Sequence, residues 1–60
     1  MKFIDLKDDT PKDYNTYLVL VRTVFSSKQR MVYAKWSDNG FVLTKSVLFN
    51  DEYIQGFMVE

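Results

Sequence analysis

The sequence predicts an all-β domain, a small antiparallel meander of four or five strands that either closes toward an SH3-like barrel or stays an open sheet. Three observations carry that prediction. Residues 17–25, Tyr-Leu-Val-Leu-Val-Arg-Thr-Val-Phe, are the part of the chain richest in β-branched and aromatic residues. Such side chains suit a pleated, half-buried surface, and no Gly or Pro interrupts them. Asn39-Gly40 separates two further apolar runs, and both residue types tolerate the positive φ of a tight hairpin turn. Finally, registers drawn from two separate turns select the same apolar face, as a consistent strand pairing should.

Taken in order, Phe3-Ile4-Asp5-Leu6 reads as a short first strand and Lys7-Asp8-Asp9 as a polar loop. Thr10-Pro11-Lys12-Asp13 has the chemistry of a helix start. Thr caps free N–H groups, Pro fits the first helical position, and an acid belongs near the positive end of the helix dipole. No apolar stripe continues past it, so one helical turn is predicted over residues 11–15. Residues 17–25 form the main strand, Ser26-Ser27-Lys28-Gln29 a polar break of hairpin length, and residues 30–36 the second long strand. The return strand after Asn39-Gly40 covers residues 41–44. Residues 45–51 extend it or pack as a loop. Residues 53–59 read as a strand, because Gly56 and the short length outweigh the helix start offered by Asn50, Asp51 and Glu52; one helical turn ahead of the strand is the alternative.

A two-residue turn at Asn39-Gly40 sets Asp38 opposite Phe41 and Trp36 opposite Leu43. Folding at Ser27-Lys28 sets Phe25 opposite Arg30, Val21 opposite Ala34 and Val19 opposite Trp36. Side chains alternate across a strand. One face therefore gathers Tyr17 and Val32 around an expected core of Val19, Val21, Ala34, Trp36, Phe41 and Leu43. The opposite face gathers Leu18, Leu20, Arg22, Val24, Met31, Tyr33, Lys35, Val42 and Thr44, with Arg22 opposite Tyr33 and placed to stack on it. Bare, its aliphatic members would make an apolar patch. Phe3, Ile4, Phe57 and Met58 are expected to cover it, with a second copy of the chain or another partner as the alternative.

Sixty residues make one domain, and a domain this short buries only about 60% of the surface its unfolded chain exposes. There is no Cys for a disulfide, and with His also absent the usual zinc ligands are missing. Stability must come from a dense aromatic core or from self-association. The lack of Cys suits a reducing cytoplasm, and Asp5 interrupts any signal-peptide apolar region, so a cytoplasmic location is expected. The longest aliphatic run, residues 18–21, is far short of the roughly 20 residues of a membrane span, and no membrane partner is expected. Net charge is zero, yet residues 17–49 hold Arg22, Lys28, Arg30, Lys35 and Lys45 against Asp38 alone. Ordinary solvated charge is the favoured account, ahead of a basic face for an acidic partner.

Without His or Cys there is no triad, thiol nucleophile or imidazole base, and no glycine-rich phosphate loop is present. The adjacent carboxylates Asp8-Asp9 and Asp51-Glu52 are expected to be loop charges and caps rather than a cation site. The protein is therefore expected to be no enzyme and to need no cofactor or metal. The candidate binding residues are Arg22, Tyr33 and Lys35, with Leu20 and Met31 on the same face. Aromatic and basic side chains on a small β fold are how single-stranded nucleic acids are bound. A neutral chain, whose aromatics are mostly needed for the core, puts that possibility behind a protein partner.

The order Phe3-Ile4, Pro11, the Val-rich main strand, Tyr33-Ala34-Lys35-Trp36, Asn39-Gly40-Phe41 and a closing Tyr53-Ile54-x-x-Phe57-Met58 resembles small phage and prophage proteins of unknown function. The resemblance implies a phage accessory protein, active in the host cytoplasm by binding host or phage proteins. It carries over no catalytic residue. The expected function is a non-enzymatic protein–protein interaction module that also self-associates, with single-stranded nucleic-acid binding as the alternative.

Overall fold

Residues 17–21 are apolar without a break, a pattern that suits a strand at the middle of a sheet. The computed structural model, which describes all 60 residues, places it there. Five antiparallel strands make one open sheet: β1 (Lys2–Asp5), β2 (Thr16–Thr23), β3 (Gln29–Ser37), β4 (Gly40–Leu43) and β5 (Glu52–Val59). Their order is β1-β5-β2-β3-β4. Strands β2 to β4 run as a meander; β5 then returns to the far side of β2 and takes β1 as its outer neighbour. The sheet does not close, and β1 and β4 are free edges.

The helical turn expected over residues 11–15 is absent, and residues 12–14 bend instead. The Asp9 carboxylate accepts the Thr10 N–H at 2.8 Å, a local bond that competes with capping. The Asn15 carbonyl accepts the Trp36 N–H at 3.0 Å, which pulls the chain straight into β2. One isolated helical turn has too little stability to resist this.

Both hairpins are displaced from the expected register. Val21 faces Arg30 rather than Ala34, and Val19 faces Val32 rather than Trp36. Strand β2 stops at Thr23, where the turn begins: the Thr23 N–H closes the loop on the Lys28 carbonyl at 3.2 Å, and the Val24 N–H reaches the Asp51 carbonyl at 2.8 Å in line with the β2–β5 pairing. In the second hairpin Trp36 faces Phe41 and Ser37 faces Gly40, so the turn residues are Asp38-Asn39. Only Gly40 has a positive φ, 98°, whereas a type I′ turn would need two such residues. Ser37 Oγ donates to the Gly40 carbonyl at 2.8 Å and accepts the Asn39 N–H at 3.3 Å, which pins the turn. Each displacement is an even number of residues, so every side chain within the strands keeps the face assigned to it, while Val24 and Thr44 fall outside the strands.

The buried apolar residues are Val19, Val21, Ala34 and Phe57. Phe41 and Leu43 pack against them half-buried, and Trp36, also half-buried, meets the Phe41 ring at 4.9 Å. The core thus includes Phe57, which the expected set lacked, while Trp36 lies at its margin; the Phe57 ring meets those of Tyr17 at 5.5 Å and Phe41 at 6.0 Å. A bulge puts Phe57 in its place. Val21 faces Ile54 and Leu20 faces Gly56, which leaves Gln55 as an extra residue in β5. Simple alternation would send Ile54 and Phe57 to opposite faces, and the bulge brings both to the core.

The opposite, outer face has no lid. Ile4 and Phe57 face the core instead of covering it. Phe3 and Met58 pair across β1 and β5 and widen the outer face. The Phe3 ring lies over Gly56, where an added Cβ would come within 2.5 Å of Phe3 Cζ.

Candidate interaction surfaces

Two adjacent rows cross the middle of the outer face, Leu18 beside Tyr33 and Leu20 beside Met31. Lys35 follows Tyr33 on the same side, between Thr16 and Val42. Tyr33 is 63% exposed, Val42 53% and Met31 45%. Of the candidate binding residues, Leu20, Met31, Tyr33 and Lys35 therefore share one patch, and its centre is apolar.

Arg22 stands apart. The register displacement puts it between Gln29 and Tyr53, so the expected stack on Tyr33 does not form. Its Nη1 donates to Gln55 Oε1 at 3.2 Å, and Gln55 Nε2 donates to Asp5 Oδ2 at 3.2 Å, which links β2, β5 and β1. The bulge aims the Gln55 side chain into this chain of bonds. The backbone N–H of Lys7 and the Gln55 amide hold the Asp5 carboxyl below its ordinary value. Arg22 Nε is buried and has no partner, a cost that apolar surroundings make larger.

A second apolar surface lies at the end of the sheet where the β2–β3 and β4–β5 loops meet. Phe25 is 87% exposed, Val47 69%, Phe49 63% and Val24 60%. The Val24–Asp51 backbone bond joins the two loops. The second loop is also clamped to the sheet through Arg30, which faces the core side. Its Nη2 and Nε donate to Glu52 Oε1 and Oε2 at 2.8 and 3.1 Å, and Nη2 also donates to the Val47 carbonyl at 2.9 Å. The guanidinium carbon stands 5.7 Å from the centre of the Phe49 ring, and Glu52 Oε1 accepts the Phe49 N–H at 3.0 Å. The hydrogen bonds from Arg30, then the one from Phe49, push the Glu52 carboxyl below its ordinary value.

This tip escapes a reading by alternation, because its residues belong to no strand. The signal for it is Val47-Leu48-Phe49, an apolar triplet placed between Ser46 and Asn50 with no pairing partner to use it.

The basic and aromatic constellation suited to nucleic acid thus comes apart. Arg22 is tied to Gln55 and Arg30 to Glu52, which leaves Tyr33, Lys35 and Lys28. The acidic pairs are separated in the same way, with Asp9 bonded to Thr10 and Lys12 and Glu52 to Arg30. No group of three or more acidic, His or Cys side chains is arranged to hold a metal ion. A cleft of about 490 Å³ on the core side, lined by Leu6, Trp36, Phe41, Leu48 and Ile54 among others, marks where the two long loops leave the core partly uncovered. No helix is long and apolar enough to cross a membrane. Comparison with protein-family models, curated proteins and solved structures finds no match to this chain.

Proposed function

We propose that the protein is a non-enzymatic interaction module that grips a partner protein with the apolar tip formed by Val24, Phe25, Val47 and Phe49. The supporting observation is that these four exposed residues, including the most exposed large apolar residue of the chain, lie on two loops that are hydrogen-bonded to each other, the second of them clamped to the sheet by Arg30. Exposed apolar side chains scattered singly need no explanation, whereas a contiguous group on a held surface marks a contact site. Fixing loops before binding also lowers the entropy cost of association. The resemblance to small phage and prophage proteins fits an accessory role of this kind in a host cytoplasm.

The test is a paired capture. Wild-type protein and a Phe25→Ser, Val47→Ser variant are used as baits in lysate of the source cell. The same protein retained by wild type and lost from the variant is the expected result. Identical recoveries from both baits would refute the assignment of the tip.

A further inference from the structure

We infer that the outer face of the sheet is a self-association surface, on which a second copy of this chain packs to form a two-layered β sandwich. The first support is surface area. A compact monomer of 7.1 kDa exposes about 4,100 Å² by the scaling of surface with mass. This chain exposes 4498 Å², roughly 400 Å² more than that scaling gives. A one-layer sheet has this excess because one of its faces packs on nothing within the chain.

The second support is the size and make-up of that face. The two longer dimensions of the molecule, 30 and 21 Å, bound a face of roughly 600 Å², the same order as the ~800 Å² that each partner contributes to a standard interface. Tyr33, Tyr53, Met31 and Phe3 project from it, all at least 38% exposed. Aromatic residues and Met are the types enriched at the cores of interfaces.

The third support is that the face can meet its own copy without a charge clash. In a two-fold contact each residue near the axis meets its own copy, so a charge at the centre would face a like charge. The central rows, Leu18 with Tyr33 and Leu20 with Met31, carry no charge. Arg22, the nearest cation, is linked through Gln55 to the Asp5 carboxylate on the same chain. Lys35 lies toward the rim, one row beyond Tyr33. Two sheets packed this way lie about 10 Å apart, with their facing side chains interdigitated. The contact would supply the second core that a 60-residue chain lacks. The tip is at the end of the sheet rather than on this face, so self-association and tip binding stand or fall separately.

Sedimentation equilibrium across micromolar and submillimolar concentrations tests the inference. The expected mass is twice 7.1 kDa, with a melting temperature that rises with concentration, as linkage to assembly requires. A Met31→Lys, Tyr33→Lys variant alters side chains that are already exposed in one chain, so it should fold and sediment as monomer. A second measurement needs no substitution. Two of the three methionines, Met31 and Met58, belong to the outer face, and Met1 is 79% exposed at the chain start. Against a soluble paramagnet, the Met31 and Met58 methyl signals should be protected and that of Met1 bleached. A wild-type monomer throughout, unprotected Met31, or a dimer that survives both substitutions would overturn the inference. The last result would indicate pairing through the free edges β1 or β4 instead.

Discussion

Replacing Gly56 with alanine probes how β1 is held. Gly56 has no positive φ, so alanine is conformationally acceptable there. By itself, restricting the unfolded chain in this way stabilises a protein by about 0.4–1 kcal/mol. The surroundings reverse the sign. An added Cβ would stand 2.5 Å from Phe3 Cζ and 2.8 Å from Phe3 Cε1, and it would press on the Ile4 carbonyl oxygen as well. The Phe3 ring can swing outward, since it is 38% exposed. The Ile4 carbonyl cannot move without displacing β1, whose only neighbour is β5. Overpacking of this kind costs roughly 1–3 kcal/mol. The expected net loss is about 1–2 kcal/mol, out of a total of roughly 3–9 kcal/mol for a domain of this length. In a thermal melt followed by circular dichroism, that loss corresponds to a fall of about 5–15 °C. Adding Phe3→Leu should relieve the ring contact and leave the carbonyl contact, so the double variant should recover only part of the loss. A Gly56→Ala protein as stable as wild type would show that β1 does not lie against Gly56 as described.

Phe57→Ala should cost about 3–5 kcal/mol and abolish the cooperative urea transition, whereas half-buried Trp36→Ala should cost roughly half as much and leave a cooperative, shifted one; equal effects would place Trp36 as deep in the core as Phe57. Acid should destabilise the protein through Glu52, whose folded value lies below its ordinary 4.5. That contribution is complete above 4.5 and is lost as pH falls through the lower folded value. Glu52→Gln should therefore flatten the acid limb of a stability–pH profile, and an unchanged profile would rule out the clamp as its source. Labelled single-stranded DNA should show no mobility shift at low salt, and a salt-sensitive complex weakened by Tyr33→Ala would restore nucleic-acid binding as the activity.

Most of what the sequence made legible was parity. Which side chains of β2, β3 and β4 share a face follows from alternation, and those assignments hold even though both hairpins are displaced. The absolute register was not legible, because a displacement of two or four residues leaves the apolar pattern as it was. What fixes it is long-range: β5 docks on β2 with Thr23 opposite Glu52, and the Val24 N–H reaches the Asp51 carbonyl beyond that pair. The place of Phe57 was hidden by the bulge at Gln55, for which Gly56, a lone glycine inside a strand pattern, was the available signal. The candidate site was legible in part. Leu20, Met31, Tyr33 and Lys35 do share a patch, but the Arg22–Tyr33 stack depended on the register, and the tip lies outside any periodic element.

The position of β5 also sets an order of events. The last strand in the chain occupies a middle place in the sheet, and the first strand touches only that last one. The meander of β2, β3 and β4 can assemble from neighbours in sequence. Strand β1 has nothing to pair with until β5 has crossed the molecule and docked on β2. Closing that long connection is the slow kind of contact that limits the folding rates of small β proteins. Until it closes, the edge of β2 and the apolar residues on both its faces stay open to other chains. The interval between synthesis of β4 and docking of β5 is thus when this protein is most prone to aggregate, and solubility during expression should depend on β5 more than on any other strand.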